Sequence, residues 1–215
     1  MATNNTLNNS LINCSGLPIP GGVTATGTAS ATTFLRGDGS WSAPSYEFIS
    51  SQTASASSSI VFTGLSSTYS TYYVFLDNVV AATDAADLLL RTSSNNGVSY
   101  DTGASDYIKN SFAVNSDAGS GATGQTASFI LVAAAVENTP SLGISSQITI
   151  INPSNSSYRK SIFFNSYYQL SSGLFQFQNA ASQRTSTNAI NAIQFVFSTG
   201  NITTGKFKLY GIRAS

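Results

Sequence analysis

From Tyr46 onward, short runs of β-branched and aromatic residues alternate with clusters of Gly, Asn and Ser, and no window sustains helical i, i+3, i+4 spacing. Strands are predicted near residues 47–50, 59–63, 71–79, 87–93, 105–114, 126–132, 144–151, 160–168, 174–179, 192–198 and 206–212. Alternation is clearest in Gln194-Phe195-Val196-Phe197 and Lys206-Phe207-Lys208-Leu209-Tyr210, which assigns Phe195, Phe197, Phe207 and Leu209 to a buried face. The loop between them carries Gly200 and Gly205 and predicts an antiparallel hairpin, and Asn95-Asn96-Gly97 is a second hairpin signal. Polar stretches at 115–125 and 179–188 read as exposed loops, and 81–87 as at most one helical turn. The expected fold is all-β, a jelly-roll-like antiparallel β-sandwich of roughly 8 to 11 strands.

Residues 1–45 follow a different pattern. Pro18, Pro20, Gly21, Gly22, Gly27, Gly37 and Gly39 interrupt a chain without long apolar runs, so it reads as an extended N-terminal arm ahead of a sandwich at 46–215. Within Thr33-Phe34-Leu35-Arg36-Gly37-Asp38-Gly39-Ser40-Trp41, two glycines around an Asp predict a tight turn that folds Phe34 back toward Trp41. So short a hairpin cannot bury both aromatics alone and calls for a neighbour. Leu11, Ile12, Leu17, Ile19, Phe34, Leu35 and Trp41 are the residues expected to form the attachment and trimer interface, docking on symmetry mates or on the particle that carries the chain.

Charged residues make up only 8% of the chain, so Ser, Thr, Asn and Gln carry its solubility. Nine cationic and nine anionic residues balance, which removes the electrostatic term that nucleic acid or an anionic membrane needs as partner. The opening MATNNTLNNS has neither a basic region nor an apolar run, so no secretory signal or membrane insertion is expected. With no His and a single Cys, Cys14, the chain lacks His-based acid–base and nucleophilic catalysis, and no metal site or cofactor is predicted. Asp84 with Asp87, or Asp101 with Asp106, would be the carboxylate pairs of a glycosidase, but Asp in Ser/Gly-rich turns is first a turn former, and an enzyme is not expected. Those aspartates and Asp77 would serve calcium only if their loops converge, and no EF-hand spacing is present. Arg36-Gly37-Asp38 already has a turn role, and an adhesion motif is not read into it.

Asn13-Cys14-Ser15-Gly16-Leu17-Pro18 followed by Thr33-Phe34-Leu35-Arg36-Gly37-Asp38-Gly39-Ser40-Trp41 resembles the connector segments of bacteriophage tail fibres, ahead of a distal β domain. Ala86-Asp87-Leu88-Leu89-Leu90-Arg91-Thr92-Ser93 and the ending Lys208-Leu209-Tyr210-Gly211-Ile212 look like the β domains attached to such connectors. The resemblance implies a structural virion protein assembled in the host bacterial cytoplasm: a short homotrimeric tail fibre held to other tail or capsid proteins through residues 1–45. The rival expectation is a capsid decoration or head-fibre protein with a passive knob. For the distal domain, Tyr69, Tyr100, Tyr107, Tyr158 and Tyr167 are the candidate receptor contacts. A Tyr ring covers the apolar face of a sugar, and neighbouring Ser, Asn and Asp bond to its hydroxyls, so a host surface glycan is the expected partner.

Overall fold

The computed structural model describes residues 18–19, 23–24, 26–31 and 33–214. Contacts divide the chain into two units, Met1–Ser45 and Tyr46–Ser215. In the first, β1 (Pro18–Ile19) pairs antiparallel with β2 (Val23–Thr24), and β3 (Phe34–Leu35) with β4 (Trp41–Ser42). All are two-residue strands, too short to build a core.

The second unit is an all-β antiparallel sandwich. Its strands are β5 (Tyr46–Ser57), β6 (Ile60–Thr63), β7 (Tyr69–Ala81), β8 (Ala86–Ser93), β9 (Tyr107–Asn115) and β10 (Gly119–Ala127), then β11 (Ile130–Val136), β12 (Ile144–Ile151), β13 (Ser161–Gln169), β14 (Phe175–Arg184), β15 (Ala192–Phe197) and β16 (Ile202–Arg213). One sheet has the order β10-β9-β14-β13-β12-β7-β16-β5 and the other β11-β8-β15-β6. With the hairpins β9–β10 and β13–β14 set aside, eight strands remain, and their orders β5-β16-β7-β12 and β6-β15-β8-β11 are those of a jelly roll. Both hairpins join the larger sheet beyond β12 and extend it as a wing.

The core lies between the sheets. Phe195, Phe197, Phe207 and Leu209 are buried as the alternation predicts, and the Phe195 and Phe207 rings meet across the sandwich with centroids 5.2 Å apart. Val74, Leu76, Leu88, Leu90, Ile148 and Ile150 fill the space around them. Each such side chain contributes about 1.5–3 kcal/mol through removal from water. Gly205, at φ +139°, sits at a register shift between β16 and β7, where an added Cβ would lie 2.7 Å from the Val79 Cα. A side chain there would force β16 away from β7.

Three sequence expectations are corrected. The polar stretch 115–125 is mostly strand: β10 pairs with β9 although Gly119–Ala127 has no apolar face, because the backbone edge of β9 supplies the hydrogen bonds. Likewise β14 continues to Arg184 through half of the loop expected at 179–188. Neither glycine signal makes a hairpin. β15 pairs with β6 and β8 whereas β16 pairs with β5 and β7, so the 198–201 turn crosses between sheets. Asn96 and Gly97 do take positive φ, at 59° and 86°, but their turn leads from β8 toward β9 in the other sheet. In a sandwich a tight turn fixes a reversal of direction and leaves the strand's partner undetermined.

Candidate interaction surfaces

In the N-terminal unit the turn forms as its residues dictate. Gly39 adopts φ +82°, its N–H donates to the Arg36 carbonyl at 2.9 Å, and the Arg36 N–H donates to the Ser40 carbonyl at 2.8 Å. The Asp38 carboxylate accepts from the Ser40 hydroxyl at 2.6 Å and the Ser40 N–H at 2.9 Å. Those two bonds, the hydroxyl first, hold its carboxyl below the usual range. Asp38 is thus engaged within its own turn. Phe34 and Leu35 are exposed and Trp41 is half-buried. Leu11, Ile12 and Leu17 lie outside the described residues, and of Ile19 only the backbone, in β1, is described.

The five tyrosines are not brought together. By strand register Tyr69, Tyr100, Tyr107 and Tyr158 belong to the root end of the sandwich, where the chain enters β5, and Tyr167 to the opposite, far end. Tyr69 is half-buried and donates its hydroxyl to Glu47 Oε2 at 3.0 Å, which in turn pairs with Arg213 at 2.8 Å. Tyr100 is also half-buried. Tyr107 requires a correction: it is 0% exposed and presents no surface to a receptor. Its hydroxyl accepts from the Thr92 N–H at 2.8 Å, and burial pushes its pKa up to about 12. Tyr158 and Tyr167 remain accessible, at 45% and 46% exposure.

Three of the four aspartates of the glycosidase reading, Asp87, Asp101 and Asp106, have structural work. Asp87 Oδ1 accepts from the Ala135 N–H at 2.8 Å, and Asp106 Oδ2 from the Gly103 N–H at 2.6 Å. Asp101 takes a two-point contact from buried Arg184, Nε at 2.7 Å and Nη2 at 3.0 Å. Arg184 also donates to the Asn188 carbonyl at 2.7 Å, and buried Lys160 donates Nζ to the carbonyls of Tyr158 at 2.8 Å and Thr187 at 2.6 Å. Burial, and then the nearby Arg184 charge, lower the Lys160 pKa. This network pins the loops that carry both inserted hairpins to the root end. Among the described residues no group of three or more His, Cys, Asp or Glu is placed to hold a metal.

Sequence reasoning missed the wing, whose polarity is inverted on β9 and β14. On β14 the inward residues are Gln176, Gln178, Ala180, Ser182 and Arg184, while Phe175 and Phe177 point outward. On β9, Lys109 and Ser111 face inward and Phe112 and Val114 outward. The inward amides are satisfied around one hydroxyl: Gln176 Nε2 donates to Tyr168 Oη at 2.6 Å, Tyr168 donates to Gln178 Oε1 at 2.9 Å, and the Ala134 N–H donates to Tyr168 Oη at 3.1 Å. Outside, Phe112 and Phe175 are 55% and 56% exposed, and the Tyr167 and Phe177 rings lie 5.3 Å apart. Two clefts flank Phe175, one of about 210 Å³ against Leu142, Ser145 and Tyr167, the other of about 420 Å³ against Phe112, Val114 and Phe177.

A second aromatic cluster occupies the same outer face on β5, β7 and β16. There Tyr46 stacks on Tyr210 at 5.1 Å, Phe48 meets Tyr210 edge-on at 5.4 Å, and Phe75 meets it at 5.6 Å. Here too Tyr46 and Phe48 stay 45% and 55% exposed, and a cleft of about 300 Å³ opens beside Tyr46, Phe75 and Tyr210. No protein-family model, curated protein or solved structure matches the chain.

Proposed function

We propose that this chain is a structural virion protein: a short homotrimeric tail fibre, anchored by residues 1–45, whose jelly roll contacts a glycan on the host surface. The observation that carries the reading is the connector hairpin, a turn-locked element that leaves Phe34 and Leu35 exposed and has too little chain to cover them. A segment of this kind gains stability by lying against other polypeptides, as an attachment arm does. It leads into a nearly uncharged β domain with accessible Tyr158 and Tyr167, suited to neutral hydroxyl-rich ligands. Several weak sugar contacts repeated over three copies give useful avidity.

Antibody labelling of intact particles with serum raised against the β domain tests the assignment. Label on the tail supports it, label on the head shell transfers the protein to the decoration class, and unlabelled particles sink both. Host-cell binding by the purified full chain tests the recognition step, with loss in Tyr158→Ala or Tyr167→Ala expected.

A further inference from the structure

We infer that the outer face of the wing is the surface through which copies of this chain meet. The inference deepens the fibre reading, on which it rests for the expectation of a trimer, by naming the face that joins the subunits. Alternation on a half-buried sheet normally sends phenylalanine inward and glutamine outward, and β14 does the reverse at Phe175-Gln176-Phe177-Gln178. The inward glutamines are paid for by their bonds to Tyr168, but the outward rings of Phe112 and Phe175 remain more than half exposed. What covers them must come from outside.

Size and charge point to a second copy. Phe112, Phe163, Tyr167 and Phe175 are 39% to 56% exposed. At about 200 Å² per ring, and with Val114, Leu142 and Phe177 added, the face offers on the order of 500 Å² of apolar area. A standard interface buries about 800 Å² per partner, of which roughly 60% is apolar, so the area matches one interface. The two charged residues on β9, β12, β13 and β14, Lys109 and Arg184, both point inward, so no outward position on these strands is charged. Identical faces therefore meet without like-charge repulsion. The central polar pair makes one internal bond, Asn179 Nδ2 donating to Asn165 Oδ1 at 2.6 Å. Phe175 forms a ridge with a hollow on either side, relief that lets one copy's ring seat in its neighbour's hollow. Where the rotation between copies closes, such a contact makes a ring in which each subunit's face is divided between two neighbours.

The test is the solution mass of the full chain by light scattering across a concentration series, for wild type, the Phe112→Lys/Phe175→Lys double variant and a Phe48→Lys control in the other aromatic cluster. Expected are a multiple of 22.4 kDa for wild type and control, and 22.4 kDa for the double variant with unchanged circular dichroism and melting temperature. If the double variant unfolds, Phe163→Ser in the same field takes its place with the same criteria. A monomeric wild type overturns the inference, and so does a double variant that stays assembled. A monomeric wild type that binds host polysaccharide and loses it in Phe175→Lys also overturns it, making the face a sugar site. Tail-labelled particles with an undissociated double variant sink the interface and leave the fibre reading standing; unlabelled particles with a dissociated variant do the reverse.

Discussion

Two phenylalanines on one sheet separate the jelly roll from its wing. Phe207 on β16 points inward, is fully buried and meets Phe195 from the opposite sheet, while Phe175 on β14 points outward and stands mostly in solvent. The difference lies in which residues each strand turns inward. The smaller sheet's edge strand β11 reaches β13 and β9, and Gln178 Nε2 on β14 donates to the Leu131 carbonyl of β11 at 3.2 Å, so the inner face of β14 is covered as well. Its buried positions are Gln176, Gln178, Ser182 and Arg184, held by hydrogen bonds, and the phenylalanines stand on the other side. Alternation fixes that a strand has two faces, and a satisfied polar network can hold the inner one in place of apolar side chains.

Truncation of the two rings should separate the core from the wing most strongly. Phe207→Ala is expected to cost about 3–5 kcal/mol in urea unfolding. Phe175→Ala in a Phe112→Lys background, measured at a concentration where that variant is monomeric, is expected to stay within about 0.5 kcal/mol. Equal costs would mean that the wing ring is a core residue after all. Next comes the pin between the two regions: Asp101→Ala leaves buried Arg184 without its carboxylate and should cost about 3 kcal/mol. A much smaller loss would show that the wing is held by its strand pairing alone. Tyr168→Phe strands the Ala134 N–H and both inward glutamines and should cost about 1–3 kcal/mol, which sharpens the claim that the wing's polar interior is a satisfied network.

The smallest effect is in pH. Because the folded pKa of Tyr107 is raised from 10.0 to about 12, its contribution to stability is complete below pH 10 and is lost as pH rises through about 12. Tyr168, also raised by burial, acts in the same direction. Lys160, lowered from 10.5, acts oppositely: the penalty for burying its charge is relieved as pH rises through its lowered folded value toward 10.5. Tyr46, Tyr69 and Tyr100 are raised by burial as well, so five tyrosines against one lysine predict a melting temperature that falls between pH 10 and 12, less steeply in Tyr107→Phe. A flat profile would remove the buried tyrosines from the account.

Most of the strands, and the dry face of β15 and β16, were legible because each combines β-branched or aromatic residues with a clean period of two. β10 was not, since Gly119–Ala127 looks like a loop until the edge of β9 recruits it. Tyr107 was misassigned because a tyrosine beside Asp and Ser looks the same at a rim or in a core. The Thr92 N–H that satisfies its hydroxyl is 15 residues away. Phe112 and Phe175 escaped notice for the opposite reason. Phenylalanine is ordinarily a core residue, and the clue, glutamines alternating with it on β14, is readable only once Tyr168 is known to engage them.

The first and last strands of the β domain are hydrogen-bonded neighbours, with Tyr46 opposite Ile212 and β5 running antiparallel along β16. A tug delivered along the backbone at Tyr46 therefore loads that ladder in shear, with many bonds sharing the strain at once, where an unzipping geometry would break them singly.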